Sequence, residues 1–427
     1  MLLLMSTIQV NILYSLHFSA LFLKSDKIFA YIFWLFRCIS IQLELPPTQI
    51  SPTPPTPLPT LPKDNDLEKN KKIMKSLKFF TTPTLLLLIF LSYNIVTAKD
   101  DRRINYVGCM DFGYSLFPEY KGLKMHIRCY PNPNSKKLSK PNVIFDSGMP
   151  FSSLVFADVI EQLIPSLPNI NVGNVCFFDR YGYGYSDPSP YAMMSNETAH
   201  RLHESLRIAK LYPPYILAGW SWGSIDMQFF AMKYMRDVVG LLTVEGTDYQ
   251  YSMDTTNPQK LASSTAYAQQ FLYLANNDLI KNATSHGDIP LEFGFLPNNT
   301  DLPPTVVEKS NDFFCSSKFF TTVIQELQIM LPSASLLGIQ YDSMNTTTPL
   351  SNIPFVVLTA EQNDNNWIER QSIMASLSTT HEHLMVNTTH FVPLENPKSV
   401  VDSLKILVNN HSSKEESSSI ILFSFLN

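Results

Sequence analysis

One serine stands in the sequence context that nucleophilic catalysis requires. The apolar run 215–218 leads into the pattern Gly-x-Ser-x-Gly at residues 219–223, with Ser221 at its centre, and a helix-like segment follows. A strand, a sharp turn and a helix in that order expose the serine hydroxyl. Glycine at both outer positions leaves room for the strand and the helix to approach each other closely. The pattern therefore predicts that Ser221 is a nucleophile.

A serine hydroxyl is a weak nucleophile and needs a base, which in turn needs an orienting acid. Of the nine histidines, His390 has the best context because it lies on a loop between the predicted last strand, 383–386, and the last helix. His381 and His383 are rivals, but they stand at or inside that strand. We therefore expect His390 to be the base.

Three carboxylates are candidates for the acid. Asp364 lies on the loop after the predicted strand 355–358, which suits the chain order serine, acid, histidine. Glu361 lies on the same loop but closer to the strand, and Glu245 ends the preceding strand. The sequence predicts Asp364 as the acid, with Glu361 and Glu245 as alternatives.

An oxyanion formed during acyl transfer needs two N–H donors. One is the amide of Trp222, and the other is expected from the loop after the buried strand 141–145. Gly148 frees the backbone of that loop and Met149 can turn its N–H inward, whereas Pro150 has no N–H to donate. We expect Met149 and Trp222 to form the oxyanion hole. This chemistry requires no metal and no cofactor.

Short apolar strands alternate with helical patterns from about residue 100 onward. Such alternation is typical of an α/β fold with a mostly parallel sheet covered by helices on both faces. Residues 248–349 break the alternation and are too many for a structureless loop. We expect this segment to be a helical cap inserted between two parts of the core, 99–247 and 350–410. The tail, 411–427, is predicted to be disordered.

The segments before the core suggest a compartment. Residues 1–73 form an apolar and then Pro-rich leader, which is either untranslated or disordered. Residues 74–98 have the basic start, apolar run and small-residue end of a secretory signal peptide. The sequence predicts a cleaved signal and a secreted or secretory-pathway protein. The alternative is a chain anchored in a membrane by its uncleaved N-terminal segments.

Sequons and cysteines bear on the same prediction. Cys109 and Cys129 bracket a short segment and could pair in an oxidising compartment, whereas Cys176 lies in an apolar run and is expected to be a buried free thiol. Asn-x-Ser/Thr sequons predict a glycoprotein. They begin at Asn196, Asn282, Asn298, Asn345, Asn387 and Asn410.

Four blocks in order resemble the α/β-hydrolase fold superfamily over about residues 120–410. Residues 146–149 stand where that family has its His-Gly oxyanion loop, and residues 179–186 look like its Asp-Arg-x-Gly-x-Gly-x-Ser turn. The blocks around Ser221 and His390 complete the set. Two positions depart from the pattern, since Asp-Ser-Gly replaces the His-Gly pair and Ala360 stands at the usual glycine before the acid.

The resemblance implies a serine hydrolase that cleaves a carboxylic ester through an acyl-enzyme, with a lipophilic or small acyl group under the cap. The string Ser-Trp-Gly-Ser at 221–224 also occurs in proline-iminopeptidase-like members, so an aminopeptidase of that type is an alternative. A second alternative is a catalytically silent hydrolase-like binding protein. A serine nucleophile argues against dehalogenase members, which use a carboxylate.

The composition of the chain indicates which classes of binding partner to expect. The 427 residues carry a formal net charge of −5 and are 45% hydrophobic, which is ordinary for a globular protein. There is no basic stripe of the kind that binds nucleic acid. We expect a small-molecule ester or acyl substrate, no nucleic acid partner, and membrane contact only through an uncleaved N-terminal segment.

Overall fold

The computed structural model describes residues 113–135, 140–280, 294, 296, 302–351 and 353–425. The expectations for the leader, the signal segment, Cys109 and two of the sequons fall outside these ranges.

A mixed sheet of eight strands forms the centre of the described domain, in the order β1-β4-β6-β5-β7-β8-β9-β10. The first two strands in this order, β1 and β4, run antiparallel to their neighbours, and all pairs from β6 onward are parallel. Strands β2 and β3 form a separate hairpin. The predicted mostly parallel sheet is thus confirmed. The strands are β1 Tyr114–Leu116, β2 Glu119–Tyr120, β3 Leu123–Lys124, β4 Ile127–Pro131, β5 Asn142–Asp146, β6 Asn174–Phe178, β7 Tyr215–Trp220, β8 Val238–Val244, β9 Phe355–Ala360 and β10 His381–Val386.

Helices separate the parallel strands, as crossover connections require. Three of them, α4 to α6, lie in the long insertion between β8 and β9, where the sequence predicted a cap. The helices are α1 Ala157–Leu163, α2 Ser195–Ile208, α3 Gly223–Lys233, α4 Asn257–Asn276, α5 Pro304–Phe314, α6 Ser317–Ser343, α7 Asn365–Ala375, α8 Val392–Glu395 and α9 Pro397–Phe425.

Each face of the sheet has its own apolar core because successive strand residues point to opposite faces. Ile144 and Leu217 belong to the core beneath α2 and α3, whereas Phe145 and Ala218 belong to the core beneath α1 and α9. Both faces are covered, which explains why the inner strands are apolar throughout rather than alternating.

The register of the parallel strands sets which loops meet. Gly219 of β7 pairs with Thr243 of β8, and Val244 of β8 pairs with Leu358 of β9. The carboxyl ends of these three strands therefore lie side by side at one edge of the sheet. The loops that follow them bring residues distant in sequence into one place.

Helix α6 is the principal helix of the insertion. By length and composition it could cross a membrane, but 56% of its apolar window is buried inside the protein. It packs against α4 and against a short 3-10 helix, Tyr249–Met253, that follows β8. These contacts account for its apolar composition within a folded domain.

The cysteines pair differently from the sequence-based expectation. Cys129 of β4 and Cys176 of β6 are directly opposite each other on neighbouring antiparallel strands, and they form a disulfide. The expectation that Cys176 is a free thiol is wrong. Cys129 pairs with Cys176 and not with Cys109. Strand pairing, which spacing along the chain does not reveal, brings the two sulfur atoms together.

The last helix also extends further than expected. Its apolar residues Val400, Leu404 and Leu407 are buried against the sheet. Beyond them, α9 runs on to Phe425, through most of the tail for which the sequence predicted disorder.

A second serine, histidine and aspartate set lies inside the core. His126 Nε2 is 2.9 Å from Ser115 Oγ, and His126 Nδ1 is 2.7 Å from Asp179 Oδ2. The backbone N–H groups of Ser153 and Tyr185 also donate to the Asp179 carboxylate, at 2.7 and 3.0 Å. The relative exposures of Ser115, His126 and Asp179 are only 0%, 0% and 1%. No substrate can reach this serine, so the set is structural.

This buried set makes the free energy of unfolding depend on pH. Burial alone would raise the pKa of Asp179, but attraction and hydrogen bonding from His126, with the two backbone donors, lower that pKa to about 2. A carboxyl whose pKa is depressed in the folded state stabilises it above the unfolded pKa and loses this contribution as pH falls through the folded value. We expect the free energy of unfolding to drop by roughly 2 kcal/mol from this group between about pH 4 and pH 2.

Denaturant unfolding of the wild type and of Asp179→Asn over this range isolates the contribution. The variant should be less stable at pH 6, and the gap should narrow as the pH falls toward 2. A gap that stays constant over the range would contradict the prediction.

Candidate active site

Ser221 lies on a tight turn between β7 and α3. Its φ is +51°, in the left-handed region that side chains other than glycine seldom adopt. The turn is held by two backbone hydrogen bonds, from Ser221 N–H to Val244 O and from Thr247 N–H to Ser221 O, each 3.0 Å. The strained backbone presents the hydroxyl at the carboxyl edge of the sheet, as the sequence pattern predicts.

The flanking glycines are needed because the backbone approaches them closely. A Cβ atom on Gly219 would lie 2.6 Å from the backbone N of Ser224, and one on Gly223 would lie 2.7 Å from Ser147 O. Backbone atoms cannot give way as a flexible side chain does. Any larger residue at either position would have to move the turn that carries Ser221.

Two other side chains complete a chain of hydrogen bonds with this serine. His390 Nε2 lies 2.8 Å from Ser221 Oγ, and His390 Nδ1 lies 3.0 Å from Glu245 Oε2. The relative exposure of the His390 side chain is 35% and that of Glu245 is 0%. The hydroxyl and imidazole are thus at the surface of the site, while the carboxylate is behind them, away from water.

Glu245 directly follows β8 and has a φ of +49°. Its Oε1 accepts a hydrogen bond of 2.6 Å from Ala360 N–H, and its Oε2 accepts one of 2.6 Å from Asn363 Nδ2. Both donors come from the end of β9 and the loop after it. A carboxylate held in this way can fix the imidazole of His390 in one tautomer, with the proton on Nδ1.

The acid predicted from the sequence, Asp364, lies elsewhere. Its exposed carboxylate accepts a hydrogen bond of 2.9 Å from Trp367 N–H and caps the N-terminus of α7. Glu361 is exposed on the same loop. The carboxylate that faces His390 is therefore Glu245, which the sequence analysis ranked below both.

The pairing of the parallel strands explains why Glu245 rather than Asp364 faces His390. Because β8 and β9 are parallel neighbours, the loops after both strands end beside the loop that carries His390. Glu245 and Asp364 both fit the chain order serine, acid, histidine, so that order could not separate them. The signal that was available in the sequence is the position of Glu245 immediately after an apolar strand.

The rival histidines make other contacts. His381 Nδ1 is 2.7 Å from Ser378 O, and His383 Nε2 is 2.8 Å from Thr359 Oγ1. Both belong to β10 and neither is bonded to Ser221, in agreement with their lower rank in the sequence analysis.

The two expected oxyanion donors flank the serine. Trp222 follows it at the start of α3, whose aligned peptide dipoles favour negative charge at that end. Gly148 packs so closely that a Cβ atom on it would lie 2.9 Å from Ser221 Cβ, and Met149 follows it. Among the residues described, neither the Met149 nor the Trp222 amide donates to another protein group.

A buried arginine ties this loop to helix α6 of the insertion. Arg180 Nη1 donates to Asp146 Oδ1 at 2.7 Å and to the carbonyl oxygen of Ser147. Its Nε donates to Glu326 Oε1 of α6 at 2.7 Å, and Tyr183 Oη donates to the other oxygen of Glu326 at 2.8 Å. One guanidinium therefore joins the loop before Met149 to helix α6.

Asp146 is fully buried and stands next to a second buried carboxyl, Asp226 of α3. Burial raises the pKa of Asp146 to about 6, although Arg180 opposes the shift. Burial, followed by the charge of Asp146, raises the pKa of Asp226 well above its usual value. Two adjacent buried carboxyls disfavour a second negative charge, so the pair keeps a proton where exposed carboxyls are ionised.

Replacing Arg180 by methionine should destabilise the protein strongly. The variant would leave Asp146 and Glu326 without their cation, and removing one partner of a buried ion pair costs about 3–5 kcal/mol. Urea unfolding at pH 7 measures the loss.

Lys398→Met is the matched control for Arg180→Met because it removes an exposed cation from its pair with Asp402 on α9. Surface pairs of this kind contribute about 0–1 kcal/mol, so this variant should unfold almost as the wild type does. Equal losses in the two variants would show that the buried arginine has no special importance.

Aromatic side chains surround the imidazole. The rings of Trp220, Trp367 and Phe391 each have their centroid 6.0 Å from that of His390. Trp220 Nε1 donates to His390 O at 3.0 Å. Phe151 packs against Trp220 and Phe391. The surroundings of the site are therefore largely apolar. No group of three or more His, Cys, Asp or Glu side chains in the described ranges is arranged to hold a metal ion.

Comparison with protein families covers the core of the chain and the site. A model of the alpha/beta hydrolase family matches residues 143–403, more than half of the chain. This range begins in β5, includes Ser221, Glu245 and His390, and ends in α9. The match therefore covers every residue of the candidate site.

Two solved structures that share the fold come from bacteria. A provisionally assigned epoxide hydrolase of Pseudomonas aeruginosa superposes with a TM-score of 0.53 at 13% identity, covering 70% of this chain and 97% of that one. The haloalkane dehalogenase DatA of Agrobacterium tumefaciens gives 0.53 at 14% identity, covering 71% and 99%. At these identities the likeness shows the fold alone.

A curated relative is 27% identical over 209 residues, which are 44% of this chain and 32% of that protein. It is an uncharacterized vacuolar membrane protein of Saccharomyces cerevisiae. The chain thus spans about a third of the length of the curated relatives it matches.

Proposed function

The chain belongs to the alpha/beta hydrolase family, and we propose that it is a serine hydrolase that cleaves a carboxylic ester through an acyl-enzyme. The observation that carries the proposal is the pair of distances at His390, 2.8 Å to Ser221 Oγ and 3.0 Å to Glu245 Oε2. Nucleophile, base and acid in such an arrangement suit acyl transfer.

In the proposed reaction, Ser221 Oγ attacks the ester carbonyl carbon while His390 Nε2 takes the hydroxyl proton. Glu245 holds the proton on Nδ1 and stabilises the imidazolium that forms. The amides of Met149 and Trp222 would bind the oxyanion. His390 then gives its proton to the departing alcohol, and water, activated by the same imidazole, releases the acid and restores the serine.

The surroundings favour an apolar acyl group. Phe391 and Trp367 lie beside the imidazole, and Phe151 packs against Phe391. Met149 is packed against the core that α3 and α6 share. The family's fold hosts many reactions, and the neighbours named as an epoxide hydrolase and a dehalogenase illustrate this range. A hydroxyl at the elbow, rather than a carboxylate, supports acyl transfer instead.

The compartment proposed is the secretory pathway. The Cys129–Cys176 disulfide supports it because disulfides persist in oxidising compartments. The description of the yeast relative as a vacuolar membrane protein is consistent with a protein made on that pathway, and it leaves membrane attachment open as the alternative.

Two assays of the purified protein test the activity. A fluorophosphonate probe should label it, and peptide mapping should place the label on Ser221. Esters of p-nitrophenol with acyl chains of graded length should then be hydrolysed faster than aminoacyl-naphthylamides. Preference for the amides would favour the proline-iminopeptidase-type alternative. Labelling and turnover both at the level of heat-treated protein would favour a catalytically silent binding protein.

A further inference from the structure

Two loops meet at the carboxylate of Glu245. Asn363, from the loop after β9, donates through Nδ2 to Glu245 Oε2 at 2.6 Å. His390 Nδ1 lies 3.0 Å from that same oxygen. The other oxygen, Oε1, is occupied by Ala360 N–H at 2.6 Å. The loop expected to supply the acid supplies instead an amide that contacts the acid.

We propose that Asn363 is a positioning residue that keeps the buried Glu245 carboxylate turned toward His390. This inference rests on the proposed function and deepens it. Because Asn363 donates to the oxygen that His390 also uses, it fixes that oxygen on the imidazole side. The hydrogen bond from Ala360 to Oε1 does not fix the position of Oε2, because the carboxylate could still rotate about that bond.

An uncharged amide is well suited to hold the Glu245 carboxylate. The Glu245 carboxylate is fully buried, so donors of the protein must replace the water that an exposed carboxylate binds. A lysine or arginine would supply donors, but its positive charge would compete with the imidazolium for the same carboxylate. A second carboxylate so close would force the two groups to share a proton. An amide donates without either effect.

The loop does not depend on this bond alone. Gln362 Nε2 donates to Asn387 Oδ1 at 3.2 Å, and Asp364 caps α7. Each neighbour of Asn363 thus anchors the loop to a different element. Gln362→Leu removes an anchor of the loop without touching Glu245, which makes it a matched control for changes at Asn363.

The first test compares Asn363→Leu with Gln362→Leu in the full-length protein. Hydrogen bonds to a charged group are worth more than neutral ones, and we expect kcat of Asn363→Leu for the best p-nitrophenyl ester to fall about 10- to 100-fold, with KM unchanged. Gln362→Leu should stay within about twofold of the wild type. Equal losses in both variants, or a KM effect alone, would overturn the proposal.

The second test uses Asn363→Asp, which keeps the shape of the side chain. The new carboxyl and that of Glu245 would share a proton, so the donor that Asn363 supplies is lost and kcat should fall about as far as in Asn363→Leu. The double variant Glu245→Gln/Asn363→Asp exchanges amide and carboxylate, and should regain at least about tenfold over Glu245→Gln alone. A kcat of Asn363→Asp equal to that of the wild type, together with no recovery in the double variant, would mean that Asn363 is only structural.

A readout without turnover separates this inference from the proposed function. The low-field proton resonance of His390 Nδ1–H should shift in Asn363→Leu and not in Gln362→Leu, whether or not esters are cleaved. Thermal unfolding of each variant checks that it folds. Absence of fluorophosphonate labelling in the wild type would contradict the proposed function. An unchanged resonance in Asn363→Leu would contradict the proposed role of Asn363.

Discussion

Replacing Ser221 by alanine is expected to abolish fluorophosphonate labelling and to lower kcat for p-nitrophenyl esters by about 10⁶-fold. The nucleophile of acyl transfer has no substitute in the site, because the other nearby hydroxyl, on Ser224, donates to Thr247 O inside the protein. Burst-phase kinetics on the wild type and steady-state rates on the variant measure the loss.

Ser224→Ala is the matched control for Ser221→Ala. It removes a hydroxyl three residues further along the same turn, and the side chain of Ser224 is fully buried. We expect about 1 kcal/mol less stability and nearly unchanged labelling. Should Ser221→Ala retain labelling at the wild-type rate, the assignment of the nucleophile would be wrong.

Replacing Glu245 by glutamine is expected to lower kcat by about 10⁴-fold with little change in fold. Glutamine is nearly isosteric with glutamate. Its single oxygen, however, cannot accept all three hydrogen bonds that the two carboxylate oxygens accept from Asn363, Ala360 and His390. With an amide N–H facing it, Nδ1 of the imidazole becomes an acceptor. The proton then moves to Nε2, which can no longer accept from Ser221.

The control for Glu245→Gln is Asp364→Asn at the position that the sequence favoured. Asparagine caps helices about as well as aspartate, so this variant removes a charge and keeps the cap. We expect activity within about twofold of the wild type. A large loss in Asp364→Asn, with none in Glu245→Gln, would restore the sequence-based assignment.

The arrangement of the sheet was accessible from sequence because it depends on local signals. Apolar runs such as 175–178 and 238–244 are short enough for strands and are separated by helical periods, so burial on both faces follows from composition alone. Local sequence signals also predicted the two main site residues. The placement of glycines predicted the turn at Ser221, and the boundary between a strand and a helix predicted the loop that carries His390.

Pairing between distant segments was not accessible in the same way. Cys129 and Cys176 are 47 residues apart, and only the register of β4 against β6 makes them neighbours. The helical continuation of α9 likewise was not visible in the polar composition of the tail, which predicted disorder.

The sequence by itself determined which residues could act as nucleophile and base, since each is marked by its own turn or loop. Only the tertiary structure decided the acid. Two carboxylates follow neighbouring parallel strands, and their side chains point differently: Glu245 turns inward to His390, whereas Asp364 turns outward to cap α7. The direction of a side chain at the end of a strand depends on backbone angles and on the donors that await it, and those donors come from other parts of the chain.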